Sequence, residues 1–492
     1  MDKLLDQLDT NLIDMSSLLL TLQQITDHLK HEDNRLNLSQ SHNNWQMMSS
    51  LLTKIGHEMT LQDNCLLTHE ECRQVLTQLF RLLRNSLVDC FANKMQIITN
   101  GSILETSFSI FNQLISNYKS IETLDTIDAG INRKDLIQTM KCCLQFFGNL
   151  LSGLNDTNQD LIHIKDKLWS LFAFDLFSYL LDFKGDDSII LISSMILYSC
   201  LHKNLNIMVK IFEKNEDLTK ILNILDLLLK VIHNSGSEWC LWTLQLFFSC
   251  NNFMTYFYNR FQIQQKILIL DIMYEFIKSD KQFNANNLND NNIDYLCQLF
   301  KQDISNIYEI DSQTNDNQIQ EEIKYKTIHV SKMLSVLCEI TTIEPLLLRL
   351  QCDRQLLECL VHTLKTIQLL SKTQENSHFK EIPHLRQINE SDCEAQNPVF
   401  GFKRDLIRII GNLVFKCQQM QDWVREFDGI PVILDCCNID AKNPYIMQWS
   451  IFAIRNIVEG NDTNQQLLSQ LSRNGILVND KLMQKLAFYS VN

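Results

Sequence analysis

Three features of this 492-residue sequence predict an all-α fold, an α-solenoid of stacked helical repeats. Apolar residues recur with helical spacing along most of the chain. Only 12 glycines and 5 prolines occur, and none of the prolines precedes Pro345, whereas strand-rich folds use both residues heavily in turns. A unit also recurs: an apolar helix closing on Arg-Asn or Gly-Asn, then a short helix with a polar opening. Asn412 and Asn456 are 44 residues apart, within the period of armadillo and HEAT repeats. An armadillo/HEAT-like superhelix follows. A hydrophobic content of 45% supplies a core that runs on from repeat to repeat, at a length beyond one compact core.

Residues 1–30 read as an amphipathic helix, with Leu4, Leu5, Leu8, Leu12, Met15, Leu18 and Leu19 on one stripe. The polar stretch 33–44 reads as a loop. A second unit ends at Arg84-Asn85 and reopens at Asn93-Lys94; a third ends at Gly148-Asn149 and reopens at Asn158-Gln159. Asn85 and Asn149 are 64 residues apart, which is no multiple of 44, so the array is irregular near its start or one unit there is nonstandard. Helices follow over 188–202 and 217–233. Trp239, Trp242, Phe247 and Phe248 form an aromatic stripe expected in the core. Polar breaks fall at 284–292 and 311–321, and helices return over 323–370. The domain reading is 1–370 as N-terminal repeats, 371–398 as a polar mobile insertion, and 399–492 as closing repeats, with a capping helix at 482–488.

The clearest unit lies in 401–468, and helix chemistry accounts for its punctuation. Pro431 and Pro444 suit a first helical turn, where the missing N–H has no partner anyway. Asn443 is placed to cap the helix that follows. Gly148 and Gly411 sit mid-helix, at a cost of about 1 kcal/mol against alanine, which close approach of a neighbouring helix would offset. Arg455 stands at the equivalent place one unit on, so either the helices are spaced more loosely there or its side chain must escape sideways.

Composition excludes several classes. A net charge of −14 with no Lys/Arg run argues against nucleic acid and anionic membranes. The 16 cysteines include no Cys-x-x-Cys, and the adjacent pairs Cys142-Cys143 and Cys436-Cys437 sit in apolar helices, as reduced core thiols do. The first residues lack a signal-peptide apolar region, and 188–201 is too short and serine-rich to span a bilayer. A cytoplasmic protein is expected. No phosphate-cradling loop, His-Glu-x-x-His or nucleophile elbow occurs, so no catalytic residue and no cofactor is assigned. His378, His384 and Cys393 are too few and too irregular for a metal site.

Gly401-Phe402-Lys403, Arg408-Ile409-Ile410-Gly411-Asn412-Leu413, Asp428-Gly429-Ile430-Pro431, Asn443-Pro444 and Ala453-Ile454-Arg455-Asn456 together resemble the ataxin-10 family. Weaker similarity covers 82–97, 144–158 and 193–197. The resemblance implies an armadillo-like cytoplasmic scaffold that binds other proteins, associated with cytokinesis, the centrosome and cilium base, and neuronal survival and outgrowth. By likeness to peptide-binding armadillo proteins, Asn149, Asn412 and Asn456 are the candidate partner-binding residues of the concave face. An amide offers a donor and an acceptor to a passing peptide unit, or equally to an adjacent helix end. The tryptophan that an importin-like groove places four residues earlier is Gln145, Arg408 and Phe452 here. Two alternatives stand beside the scaffold: a regulatory subunit of a partner enzyme, and an importin-like transport adaptor.

Overall fold

The computed structural model describes residues 15–39, 42–58, 69–99, 101–124, 127–152, 159–204, 218–279, 285–312, 316–384 and 397–473. The regular elements among them are all helices. The chain divides into two compact units, 1–246 and 247–492. The first contains α1 (Met15–His28), α2 (Glu32–Ser39), α3 (His42–Glu58), α4 (His69–Ser86), α5 (Phe91–Thr99) and α6 (Gly101–Ile121). It continues with α7 (Ile127–Leu151), α8 (Gln159–Leu181), α9 (Asp187–Leu201), α10 (Leu218–Ser235) and most of α11 (Glu238–Phe248). The second contains α12 (Phe253–Phe257), α13 (Ile263–Ser279), α14 (Asp290–Asp303), α15 (Asn317–Ile340), α16 (Glu344–Leu350) and α17 (Arg354–Thr373). It ends with α18 (Phe402–Leu413), α19 (Gln418–Glu426), α20 (Gly429–Asp435), α21 (Ile446–Val458) and α22 (Asp462–Arg473).

Each unit is a stack of like helices. In the first, α1 packs on α4, α4 on α7 and α7 on α9, while α3 packs on α6 and α8 on α10. In the second, α13, α15, α18 and α21 pack each on the next, and α17 covers α18, α19 and α20. These are armadillo-like layers. Burial follows the helical stripe that apolar spacing prescribes: Leu356, Leu357, Leu360, Leu364 and Ile367 on α17, and Leu406, Ile409, Ile410 and Leu413 on α18. In the first unit the helices α6, α7 and α8 meet through Phe111, Phe147 and Phe172, with ring centroids 6.2 and 5.3 Å apart.

Where it is described, the recurring polar opening of the short helix caps the helix before it. The last carbonyls of an α-helix have no partner within the helix and must be met from outside when buried. Asn93 Nδ2 donates to Ser86 O at 2.7 Å, seven residues back at the end of α4. Asn464 Nδ2 and Gln465 Nε2 repeat the seven-residue reach onto Ile457 O and Val458 O, both at 2.9 Å. A second set of caps crosses to the following layer. Gln421 Nε2 donates to Asn456 O and Glu459 O at 2.9 and 3.1 Å, and Gln351 Nε2 to Leu413 O and Phe415 O at 3.0 and 2.9 Å. In the first unit a lysine takes that role. Lys165 Nζ donates to His202 O at 2.8 Å, and Lys94 Nζ to Ser152 O, with burial lowering the Lys94 amine to about 8.

Several expectations need correction. The stretch 33–44 holds α2: Glu32 and Asp33 favour its N-terminus, and Arg35 is buried to bond Leu29 O and Lys30 O at 3.0 Å at the end of α1. Asn443 does not cap α21, which begins at Ile446 after Tyr445, and Pro444 lies in the preceding turn. Asn443 instead caps a helix remote in sequence. Its Oδ1 accepts from Arg404 N at 3.1 Å in the first turn of α18, whose own cap position is Gly401, a residue without a side chain and with φ of +76°. Pro431 does stand in the first turn of α20.

The 64-residue interval is one long unit. Asn149 Nδ2 reaches Arg84 O directly, so α4 and α7 are adjacent, and the added length is in α6 and α7, of 21 and 25 residues. The polar stretch from 371 begins inside α17 and is tied down as far as it is described. Asp311 accepts from Ser377 Oγ at 2.6 Å and His378 N at 2.8 Å. Ala441 N donates to Ile382 O at 2.8 Å. Residues 385–396, the helix expected at 482–488 and the leucines before residue 15 lie outside the described residues. The fourteen described cysteines are free thiols, most of them buried. No helix of the described residues is long and apolar enough to cross a membrane.

At Gly411 the backbones of two layers approach closely. A Cβ there would sit 3.1 Å from both Cα and Cβ of Ala453 on α21, whereas one on Gly148 would meet the end of the flexible Met195 side chain and, at 4.0 Å, Ile196 Cγ1. Gly411→Ala is therefore expected to destabilise by about 1–3 kcal/mol despite roughly 1 kcal/mol of added helix propensity, and Gly148→Ala to cost less. Denaturant titration of the two variants checks the order; equal stability of Gly411→Ala and wild type would refute the close packing.

Candidate protein-binding groove

Helices α13, α15 and α18 present one face each to a cleft of about 410 Å³. Its lining includes Tyr274 of α13, Lys324, Lys332 and Ser335 of α15, and Arg404 and Arg408 of α18, with Pro398 and Phe400 from the turn before α18. The spacing explains the convergence: 404, 408 and 412 recur every four residues and share one helix face. Ser331 Oγ donates to Pro398 O at 2.8 Å, which holds the turn against α15.

The cleft is cationic in a protein of net charge −14: Lys324, Lys332, Arg404 and Arg408 line it against one carboxylate, Asp405. Arg404 Nε donates to Asp405 Oδ1 at 2.7 Å, and burial raises the Asp405 carboxyl above its ordinary range despite that arginine. Arg408 Nη1 donates to Glu339 Oε1 at 2.8 Å, and its guanidinium lies 5.2 Å over the ring of Trp449 on α21. Lys332 pairs with Asp271 at 2.6 Å. Cations, a tryptophan face and half-buried apolar atoms can take an extended chain.

The three asparagines singled out by motif are engaged inside the fold. Asn149 Nδ2 donates to Arg84 O at 3.0 Å, Asn412 Nδ2 to Thr341 Oγ1 at 2.9 Å, and Asn456 Nδ2 to Gly411 O at 2.9 Å. Each bond ties its helix to the layer before it. Asn456 is 2% exposed, so it meets no partner without rearrangement; Asn149 and Asn412 are half-buried. The position four residues earlier does similar work: Gln145 Oε1 accepts from Arg84 Nη1 at 2.6 Å, as Arg408 pairs with Glu339.

The aromatic stripe divides. Phe247 and Phe248 are buried, but Trp242 is 38% exposed and Trp239 half-buried, because Cys240, Thr243, Leu244 and Phe247 form the inward side of α11. Both tryptophans pack beside Tyr198, at 5.7 and 5.9 Å between centroids. His378 Nδ1 lies 2.9 Å from Asp311 Oδ1. Burial opposes the Asp311 charge, but the bonds from His378 and Ser377 outweigh it and hold that carboxyl below its ordinary range. Cys393 lies outside the described residues, among which no group of three His, Cys, Asp or Glu could hold a metal. Arg404, Arg408 and Trp449 escaped the motif reading. Two arginines four apart on an apolar helix were the available signal, whereas Lys324 and Lys332 join them only by packing.

The family model described as the spinocerebellar ataxia type 10 protein domain matches residues 402–491. Ataxin-10 of Homo sapiens is 29% identical over 418 residues, 84% of this chain and 79% of that protein. Ataxin-10 of Bos taurus is 28% identical over 451 residues, 90% of this chain and 86% of that one. A chain solved in work on a phosphorylation switch between cadherin and beta-catenin is 11% identical, covers 94% of this chain and 70% of its own, and reaches a TM-score of 0.37. At that score the likeness carries no argument, and the armadillo-like architecture rests on the helix packing described above.

Removing a buried amide leaves a carbonyl without its partner, at about 1–3 kcal/mol. Asn456→Ala is expected to lower stability by that amount and Asn149→Ala and Asn412→Ala by less, since water can replace a half-buried amide. Thermal and denaturant unfolding give the ranking, and a neutral Asn456→Ala would show that the bond to Gly411 O is dispensable.

Proposed function

The chain belongs to the ataxin-10 family, and on that premise we propose that it is a non-enzymatic cytoplasmic scaffold that binds other proteins at the α13–α15–α18 cleft and the adjoining Trp449. The observation that carries this reading is the contrast within the second unit. Its helix ends and amides are bonded internally, while the cleft gathers cations and aromatic faces that the fold itself uses only in part. Such a surface is suited to hold a chain rather than transform a substrate.

Roles in cytokinesis, at the centrosome and cilium base, and in neuronal survival or outgrowth enter this proposal from the family resemblance alone. A regulatory subunit would differ in one readout, a change in a partner enzyme's turnover on binding. An importin-like role is disfavoured, because the cleft is cationic and Arg408 stands where that groove needs a tryptophan.

Ser335→Trp fills the cleft without changing its charge. Wild-type protein is expected to retain cytosolic partners and to show slowed hydrogen exchange over 324–335 and 400–412 when they bind. The variant is expected to lose them with its melting temperature kept within a few degrees. Retention of the same partners by Ser335→Trp, with protection elsewhere, would place the binding surface outside this cleft.

A further inference from the structure

We propose that the cleft takes an extended acidic peptide, with carboxylates of its partner seated on Arg404 and Arg408; this rests on the groove reading above and names the chemistry of the occupant. The donors of the cleft are only partly used. Arg404 spends its Nε on Asp405, and its two terminal nitrogens have no acceptor among the described residues. Arg408 spends Nη1 on Glu339, and its Nε is buried with no partner among the described residues. Lys324 is exposed at the rim and has no ion-pair partner among the described residues. A guanidinium carries five N–H donors and no acceptor, so the terminal nitrogens that these two arginines leave unused can be completed by an incoming acceptor, whereas the buried Nε of Arg408 stays out of reach. Carboxylate oxygens do so with charge-assisted bonds.

Charge selects the sign of the partner. Four cations line the cleft and three of them are each paired with one carboxylate, which leaves Lys324 as the excess positive charge, in a chain of net charge −14 whose remaining surface repels acidic segments. An acidic peptide is therefore drawn to this place and disfavoured at others, which is how local complementarity yields specificity rather than bulk affinity. Trp449, Phe400 and Tyr274 beside the cations provide faces for apolar side chains interleaved with the acids. The nearby carboxylates Asp271, Glu339 and Asp405 keep Lys332, Arg408 and Arg404 in place before binding, so little side-chain order remains to be bought on docking.

The test uses the full chain and a fluorescein-labelled peptide alternating Asp or Glu with Leu, followed by anisotropy. Controls are the same peptide with Asn and Gln replacing the acids, one with Lys, and one with phosphoserine in place of the acids. The acidic peptide is expected to bind, to weaken as salt is raised, and to lose about tenfold or more in affinity with Arg404→Gln. Arg408→Gln could disturb the α15–α18 packing, so Lys324→Glu serves as the second variant: it is exposed, and it should weaken the acidic peptide while strengthening the lysine one. Equal binding of the amide peptide, preference for the lysine peptide, binding of the phosphoserine peptide alone, or no binding by wild type would each overturn the proposal. If Ser335→Trp removes cellular partners while the acidic peptide fails to bind, the groove reading survives and this one does not.

Discussion

A buried helix end must have its carbonyls met, and in this protein the next short helix or the next layer meets them. Asn93, Gln421, Asn464 and Gln465 each sit seven residues beyond the carbonyl that they cap. Gln351, Gln421, Lys94 and Lys165 reach onward to the end of the following long helix. Each bond contributes about 1 kcal/mol net, but leaving such a carbonyl dry and unbonded costs more than making the bond gains. The caps therefore act chiefly as a constraint on register. Layers that slipped past one another would strand several carbonyls at once. Neighbouring layers must then fold together, as nearest-neighbour coupling in repeat proteins requires.

That constraint also shapes the functional surface. Amides that resemble a peptide-binding ladder are drawn inward to hold layers together, Asn456 entirely so. The surface proposed for a partner is the part of the second unit where charged side chains stay in contact with solvent. Arg404, Arg408 and Lys332 keep their aliphatic stems against the helices and hold their charged ends at the cleft, each anchored by one carboxylate. Anchoring restricts their rotamers without exhausting their donors, which is the state a preorganised binding surface requires.

Much of the fold was legible because helical spacing and a repeat period are local properties. The Asn412–Asn456 interval placed two adjacent layers correctly, and Gly411 announced the close approach that Ala453 completes. The failures were of one kind. Asn443 looked like a cap for the helix just after it and instead caps α18, some forty residues back in the chain, because Gly401 leaves that helix without its own cap. The polar stretch 33–44 looked like a loop because its apolar content is low, yet Arg35 and Leu38 suffice to seat α2 against its neighbours. Trp239 and Trp242 looked like core because they are large and apolar, but the inward stripe of α11 runs through Cys240, Leu244 and Phe247.

By itself the sequence determined the helices, the layer period where it is regular and the balance of charge, since each depends on residue type and short-range spacing. The tertiary structure alone decided which face each asparagine turns to and which cations share a cleft. Lys324 and Lys332 meet Arg404 and Arg408 only once α15 packs on α18. The physical reason is that a side chain's partners are set by the layers it lies between. An amide aimed at a neighbouring carbonyl and an amide aimed at a peptide have the same chemistry and the same place in the sequence pattern, and only the distance to the adjacent helix tells them apart.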